Sequence, residues 1–164
     1  MNIATTQQVY QHDSFEKGHA FENYIVTLFN VQKFQLLEWR SDKRASNGAF
    51  PLSSSNPDLE FAYLGRRKHR FAVECKWREK FIDGKIRWAS DYKICLYEDY
   101  QNQKRIPVFI AIGIGGRPDK PEKLFVTPLH NISNYTEVYE SHLIPYLRKR
   151  RNNFFYDTIQ LQLF

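Results

Sequence analysis

The chain has 164 residues, of which 42% are hydrophobic and 16% aromatic, so it can bury the core of one compact domain. Seven glycines and seven prolines exclude a fibrous repeat or a disordered chain, and no apolar run reaches the roughly 18 residues of a membrane span. The formal net charge of +6 favours a polyanionic partner such as nucleic acid, although many basic proteins bind none.

Targeting and redox signals are sparse. The polar residues 1–12 carry no apolar signal segment. Cys75 and Cys95 form neither a spaced metal set nor a disulfide framework. We therefore expect a cytoplasmic protein with no membrane association.

Hydrophobic periodicity predicts a helix over 15–29, because Phe21, Ile25 and Leu28 recur at steps of three and four residues. Apolar runs separated by turn residues predict strands at 34–40, 59–64, 70–76, 106–114 and 124–127 and a hairpin-like region at 80–88. A further helix is predicted at 91–103. Residues 133–164 are predicted to form a helix that is interrupted near Pro145 and is followed by a last alternating segment. This order predicts a single α/β domain over 1–164, with a mixed sheet flanked by helices at about 15–130 and an extension at 131–164.

Two acids and a lysine lie in the strands predicted on either side of the turn at 65–69. Glu74 and Lys76 alternate with Cys75, so they leave the same face of the sheet. If the strands pair as a hairpin, Asp58 lies beside Glu74. Two adjacent carboxylates repel each other unless they share a cation, and Mg²⁺ prefers oxygen ligands. The pattern predicts a site where the cation polarises a phosphate, Lys76 holds the attacking water, and the Cys75 backbone carbonyl is a further ligand.

The triplet of an acid, any residue and lysine is common, and the chain contains other examples. A tight turn explains the one at 83–85, a helix start the one at 91–93, and a loop the Pro-Asp pair at 118–119. Glu74 follows an apolar run, where charge on a strand needs a reason. Ordinary sheets also meet solvent in this way, so a structural interpretation of Glu74 and Lys76 stays open.

A third acid, Glu22, lies beside the apolar stripe of the first predicted helix. From there its carboxylate can reach the metal through water. The alternative is a solvated glutamate on a helix face.

Together these motifs resemble the PD-(D/E)xK nuclease superfamily, which includes restriction endonucleases and archaeal-type Holliday-junction resolvases. The resemblance covers about residues 17–129, and it rests on Glu22, Pro57-Asp58, Glu74-Cys75-Lys76, the following helix and the strand at 108–114.

The resemblance implies a restriction-endonuclease-like fold and an endonuclease that hydrolyses phosphodiester bonds in DNA, with a metal-bound water as the nucleophile. It implies that Asp58 and Glu74 bind Mg²⁺ (or Mn²⁺), that Lys76 is the catalytic lysine, and that Glu22 is an accessory acid. Some members carry a Gln-x-x-x-Tyr motif on the helix after the lysine. Here the order is inverted, from Tyr97 to Gln101, so that role is not transferred. Gln101 is interpreted as an exposed helix residue or as a contact of the site.

A basic cluster occupies the turn of the predicted hairpin, at Arg66, Arg67, Lys68 and Arg70. It is interpreted either as a contact to phosphates flanking the cut site or as a solvated hairpin tip. The basic run at 148–151 has the same two interpretations. Four aromatic residues follow the lysine, at Trp77, Trp88, Tyr92 and Tyr97, and they are interpreted as core residues in preference to stacking platforms for unpaired bases.

The main alternative function is a nucleic-acid-binding module of the same fold that does not cut. A structural or partner protein, with these charges in an ion-pair network, is a third. DNA is the expected partner and RNA is not excluded. Cutting both strands of a duplex commonly needs two sites, so a homodimer is a further expectation that no sequence feature demonstrates.

Overall fold

The computed structural model describes residues 3–40, 55–149 and 152–164, with side chains from Asp13 onward. The helices are α1 (Ile3–Thr27), α2 (Asp91–Lys104) and the short α3 (Glu140–Leu143). The strands are β1 (Phe34–Trp39), β2 (Leu59–Tyr63), β3 (His69–Arg78), β4 (Lys85–Arg87), β5 (Val108–Ile114), β6 (Lys123–Pro128), β7 (Glu137–Tyr139), β8 (Tyr156–Asp157) and β9 (Gln162–Leu163). None of the described helices is long and apolar enough to cross a membrane.

Five strands form the central sheet in the order β1-β2-β3-β5-β6. The β3–β5 pair is parallel and the other pairs are antiparallel, so the sheet is mixed, as the sequence predicts. β2 and β3 form the predicted hairpin, in which Leu59 lies opposite Val73. The parallel connection between β3 and β5 runs through α2, the usual solution for a parallel crossover.

The sheet is covered on both faces. Phe21 and Ile25 of α1 pack against one face, which also receives Phe71 and Val73 of β3. α2 covers the other face with its buried Ile94, Tyr97 and Tyr100. Because both faces are covered, every residue of β5 is buried, in agreement with its continuous apolar sequence.

The start of α2 is set by local chemistry. The Ser90 hydroxyl accepts a hydrogen bond from the Lys93 backbone N–H at 3.3 Å and so caps the first turn. Asp91 in that turn is favourable to the helix dipole. The interpretation of Asp91 as a helix start is therefore confirmed, and the helix ends at Arg105, which adopts the left-handed conformation.

The prediction of a helix beyond residue 133 is wrong. The segment forms β7, the four-residue α3, a 3₁₀ turn at Ile144–Tyr146 and the small β8–β9 ribbon. Pro145 lacks the N–H that a longer helix needs, and Val138 is instead buried through pairing of β7 with β4. The final alternating segment is not a continuous strand, because Ile159 lies 91% exposed in the turn between β8 and β9.

The Asp83-Gly84 turn exists, with both residues at positive φ, and Ile82 bridges Lys85 across it. β4 nevertheless finds its strand partner in β7 rather than within the predicted hairpin. Residues 41–54 and 150–151, which include the turn predicted at Asn47-Gly48 and part of the second basic run, lie outside the described residues.

Side chains shrink along the α1-facing side of β5, from Phe109 through Ala111 to Gly113. A Cβ on Gly113 would overlap the ring of Phe21 in α1. Because the side chains become smaller toward Gly113, α1 can approach the sheet closely at Phe21, the residue before Glu22. Gly113 therefore sets the distance between α1 and the carboxyl-terminal half of β3.

We expect Gly113→Ala to lower the free energy of unfolding by about 1–3 kcal/mol, because the added methyl group must displace Phe21 from a packed interface. Urea unfolding followed by tryptophan fluorescence measures the change. Gly18→Ala is the matched control, since a Cβ there meets no atom within 4 Å, and a helical alanine should stabilise by about 0.5–1 kcal/mol. Equal effects of the two substitutions would contradict the packing argument.

Candidate active site

Asp58 directly precedes β2 and is buried, with 1% of its surface exposed. The register of the β2–β3 pair, extended by one residue, places it opposite Glu74. Its Oδ2 accepts a hydrogen bond from the backbone N–H of Cys75 at 2.9 Å. The hairpin thus brings Asp58 to the position that strand pairing predicts.

Glu74 and Lys76 leave the same face of β3, on the side of α2. Glu74 is fully buried, and its Oε1 accepts a hydrogen bond from the Tyr97 hydroxyl at 2.6 Å. The same oxygen forms an ion pair with the Lys76 ammonium group. Burial, followed by the negative charge of Glu74, raises the pKa of the Tyr97 hydroxyl well above its ordinary value. Tyr97 is therefore a permanent donor that fixes one oxygen of Glu74.

Glu22 reaches the same region from α1. It is 8% exposed, and its Oε2 accepts a hydrogen bond from the indole N–H of Trp39 at 2.8 Å. The ring of His19 stacks on Trp39 with a centroid separation of 5.4 Å. Glu22 is thus a buried and oriented carboxylate rather than a solvated one.

Cys75 lies at the centre of the three acids. Burial raises the pKa of its thiol well above the ordinary value, and the charges of Asp58, Glu22 and Glu74 raise it further. The protonated thiol is therefore favoured over the thiolate. In a strand, the N–H and C=O of one residue point to the same neighbouring strand, so the Cys75 carbonyl is directed toward the side of Asp58.

A cleft of about 460 Å³ lies between α1 and the end of β3. Its lining includes Glu22, Asp58, Cys75 and Lys76, and also Arg78. Glu74 is buried behind the cleft and is joined to it through its ion pair with Lys76.

The donor set fits a hard divalent cation. Among the described residues, no group of three or more His, Cys, Asp or Glu side chains is arranged to hold a metal. Mg²⁺ is usually held by one or two carboxylates, with waters and substrate phosphates completing its shell. Asp58, Glu74 and the Cys75 carbonyl supply oxygen donors of that kind and number.

A second buried ion network lies behind Asp58. Glu60 is 1% exposed and accepts from Arg40 at 3.1 Å, and also from Arg70 and the Tyr100 hydroxyl. Arg40 in turn donates from its guanidinium to the Pro57 carbonyl at 3.0 Å, and from its backbone N–H to the Asp58 carbonyl at 2.8 Å. The network therefore holds the segment that carries Asp58.

Sequence reasoning missed this network and the roles of Trp39 and Tyr97. A signal for the network was present, since Glu60 interrupts the apolar strand between Leu59 and Phe61. A charged residue that faces a covered sheet needs a partner. Trp88 and Tyr97 are buried and Trp77 packs partly buried against the core, which confirms their interpretation as core residues. The same interpretation of Tyr92 is wrong, because this side chain of α2 is 69% exposed.

The basic hairpin tip is remote from the cleft. Arg66, Arg67 and Lys68 are exposed, and the six residues 59–64, which extend from Asp58 toward the turn, span about 20 Å. Arg70 pairs with Glu60. Gln101 accepts a hydrogen bond from the Val108 N–H at 3.0 Å, so this side-chain oxygen caps the start of β5.

No model of a known protein family matches the chain, and no curated protein is significantly similar in sequence. The structure is similar to that of Hjc from Archaeoglobus fulgidus, a Holliday junction resolvase from an archaeal hyperthermophile. The match has a TM-score of 0.54 and covers 78% of this chain and 93% of the resolvase, at 15% sequence identity. The chain thus has a restriction-endonuclease-like α/β fold with a mixed central sheet, as the sequence predicts.

The charge of Glu60 makes a testable contribution to stability. Burial raises the pKa of Glu60, but hydrogen bonds from Tyr100, Arg70 and Arg40 outweigh burial and hold the pKa below its ordinary value of 4.5. The resulting stabilisation is fully present above the unfolded-state pKa and is lost as the pH falls through the lower pKa of the folded protein.

We therefore expect Glu60→Gln to lower the free energy of unfolding by about 3 kcal/mol at neutral pH, with a difference that shrinks on acidification. Urea unfolding at a series of pH values measures it. Glu137→Gln, in an exposed ion pair with Lys85, is the control and should change stability much less. A constant difference between wild type and Glu60→Gln across the pH series would refute the role of the charge.

Proposed function

We propose that this protein is a Mg²⁺-dependent nuclease that hydrolyses phosphodiester bonds in DNA. The observation that carries the proposal is that Asp58 and Lys76 line one cleft, and that the buried Glu74 lies behind it in an ion pair with Lys76. Each carboxylate is buried, which is costly unless the charge has a use or a partner.

Asp58, Glu74 and the Cys75 carbonyl would hold the cation, which supplies Lewis-acid polarisation of the phosphate and acidifies water at this site. The Cys75 N–H fixes Asp58, and Tyr97 fixes Glu74, so the two acids are positioned before substrate arrives. This arrangement spares the enzyme the cost of ordering its ligands during the reaction.

Lys76 is the residue that acts on the substrate. Its ammonium group ion-pairs with Glu74 and lines the cleft, so it can donate to an oxygen of the phosphate or to the attacking water. A positive charge at this point stabilises the negative charge that develops on the phosphorane. Lys76 is thus proposed as the catalytic lysine.

Glu22 has a different role. It enters from α1 and lines the same cleft, and its carboxylate accepts a hydrogen bond from the indole N–H of Trp39. We assign it the orientation of water on the α1 side of the phosphate. Among the three acids it is the one whose position depends on helix docking, and therefore on Gly113.

Branched DNA is the first substrate to test, because the structurally similar Hjc is a Holliday junction resolvase. The net charge of +6 and the exposed tip at Arg66, Arg67 and Lys68 favour DNA over neutral substrates. The tip contacts phosphates away from the cut site in this proposal, since it lies about 20 Å from Asp58. A homodimer would provide two sites for two strands.

We expect purified protein to cleave supercoiled plasmid or a four-way DNA junction in Mg²⁺ or Mn²⁺ and not in EDTA. Asp58→Asn and Lys76→Met should each reduce the rate at least about 100-fold, because the first removes a charge that would hold the cation and the second removes the charge that would act on the phosphate, with the side-chain size nearly unchanged. Gel electrophoresis of end-labelled substrate measures the rates.

Two decoys in the sequence are matched controls. Asp119→Asn repeats the Pro-Asp substitution in an exposed loop where Asp119 pairs with Arg117, and Lys85→Met repeats the lysine substitution after a turn. Both should retain wild-type rates. Metal-dependent activity that survives Asp58→Asn and Lys76→Met would remove this cleft from the mechanism. Salt-dependent binding without cleavage under either metal would instead identify a binding module.

A further inference from the structure

Arg78 occupies the next position on the catalytic face of β3. Glu74, Lys76 and Arg78 occupy every second position of the strand and so share one face, and the backbone rise from Lys76 to Arg78 is about 6.6 Å. It lines the same cleft as Asp58 and Lys76. The spacing is of the order of the separation between consecutive phosphates of one nucleic-acid strand.

The guanidinium of Arg78 is held in place by neutral acceptors. Its Nε donates to the Arg87 carbonyl at 3.1 Å, and its Nη1 donates to the Trp77 carbonyl at 2.8 Å. Backbone carbonyls fix the orientation of the group and leave its charge uncompensated. An arginine has five N–H donors, so more than half of its donors are available to a ligand.

The other basic residues of the cleft differ in this respect. Lys17 pairs with Asp13, and Lys76 pairs with Glu74. Among the described residues, no carboxylate forms an ion pair with Arg78, and burial alone lowers the pKa of its guanidinium. A partly buried cation that lacks a counter-charge is unfavourable, unless an anion arrives to pair with it.

A phosphate is the anion that fits. The guanidinium plane offers a fork of donors that matches two oxygens of one phosphate, and such charge-assisted bonds are stronger than neutral ones. A carboxylate ligand has the same fork geometry, but a DNA strand in the cleft carries only phosphates. The chemistry of the site therefore selects the backbone of the strand that is being cut.

We propose that Arg78 binds the phosphate adjacent to the scissile one, on the same strand, while Lys76 acts on the scissile phosphate. The proposal rests on the proposed function and makes it more specific. The substrate must continue at least one phosphate beyond the cut on the Arg78 side. The site therefore favours internal linkages over a terminal one.

The test replaces one phosphate at a time by an uncharged methylphosphonate along the cut strand, from two positions before the cut to two after it. Wild type should lose roughly 10- to 100-fold in kcat/KM at one flanking position, where the charge-assisted bond is lost. In Arg78→Gln that position should become insensitive, and Arg78→Lys should retain part of the sensitivity. Arg87→Gln, whose exposed side chain does not line the cleft, should reproduce the wild-type profile.

Each protein is compared with its own rate on the unmodified strand, so a variant that is partly unfolded still reports the profile. An unchanged profile in Arg78→Gln would overturn the proposal and leave Arg78 as a structural tie between β3 and β4. The salt dependence of DNA binding is a second readout that needs no cleavage. Arg78→Gln should lower the slope of log Kd against log salt by about 1, and Arg87→Gln should not.

The two failures are distinguishable. If wild type does not cut under Mg²⁺ or Mn²⁺, the proposed function fails, and the salt slope still decides whether Arg78 contacts a phosphate. If wild type cuts and neither the profile nor the slope changes in Arg78→Gln, only the phosphate site fails.

Discussion

The hydrogen bond from the Cys75 N–H to Asp58 is the constraint on which the site depends. β2 begins at Leu59, so at Cys75 the outer edge of β3 loses its strand partner, and a side-chain carboxylate takes the place of a backbone carbonyl. A buried N–H must be satisfied, and Asp58 does so with the charge that a metal also needs. The hydrogen bond that completes the edge of β3 is therefore also the one that orients the Asp58 carboxylate.

Two buried glutamates of the sheet accept hydrogen bonds from side chains of α2. Tyr97 donates to Glu74 and Tyr100 donates to Glu60, so two tyrosines one turn apart hold two glutamates on neighbouring strands. The difference lies in the cations. Glu60 faces Arg40 and Arg70, which satisfy it fully and make it structural, whereas Glu74 has Lys76, which also faces the cleft. The same helix thus supports the stabilising network of Glu60 and the candidate site at Glu74.

The sequence predicts those site residues whose positions are fixed by local strand alternation and by a short hairpin turn. Alternation along β3 places Glu74 and Lys76 on one face, and the hairpin turn places Asp58 beside them. Arg40 and Trp39 could not be assigned roles in this way, because their partners lie 20 and 17 residues away and depend on how the elements dock. Beyond residue 133 the predicted helix is wrong, because pairing of β7 with β4, which buries Val138, prevailed over helix propensity.

The charge of the cleft differs in sign from that of the whole chain. Its lining carries four acids and three bases, whereas the chain carries a net charge of +6. In the proposed function, a phosphate would be attracted to the protein at long range and repelled at the carboxylates, until a divalent cation offset their charge. The basic surface would then supply affinity that salt weakens, and the acidic cleft would supply alignment that depends on the cation. The separation of about 20 Å between the hairpin tip and Asp58 would allow both to act on one DNA molecule, because neither would have to occupy the place of the other.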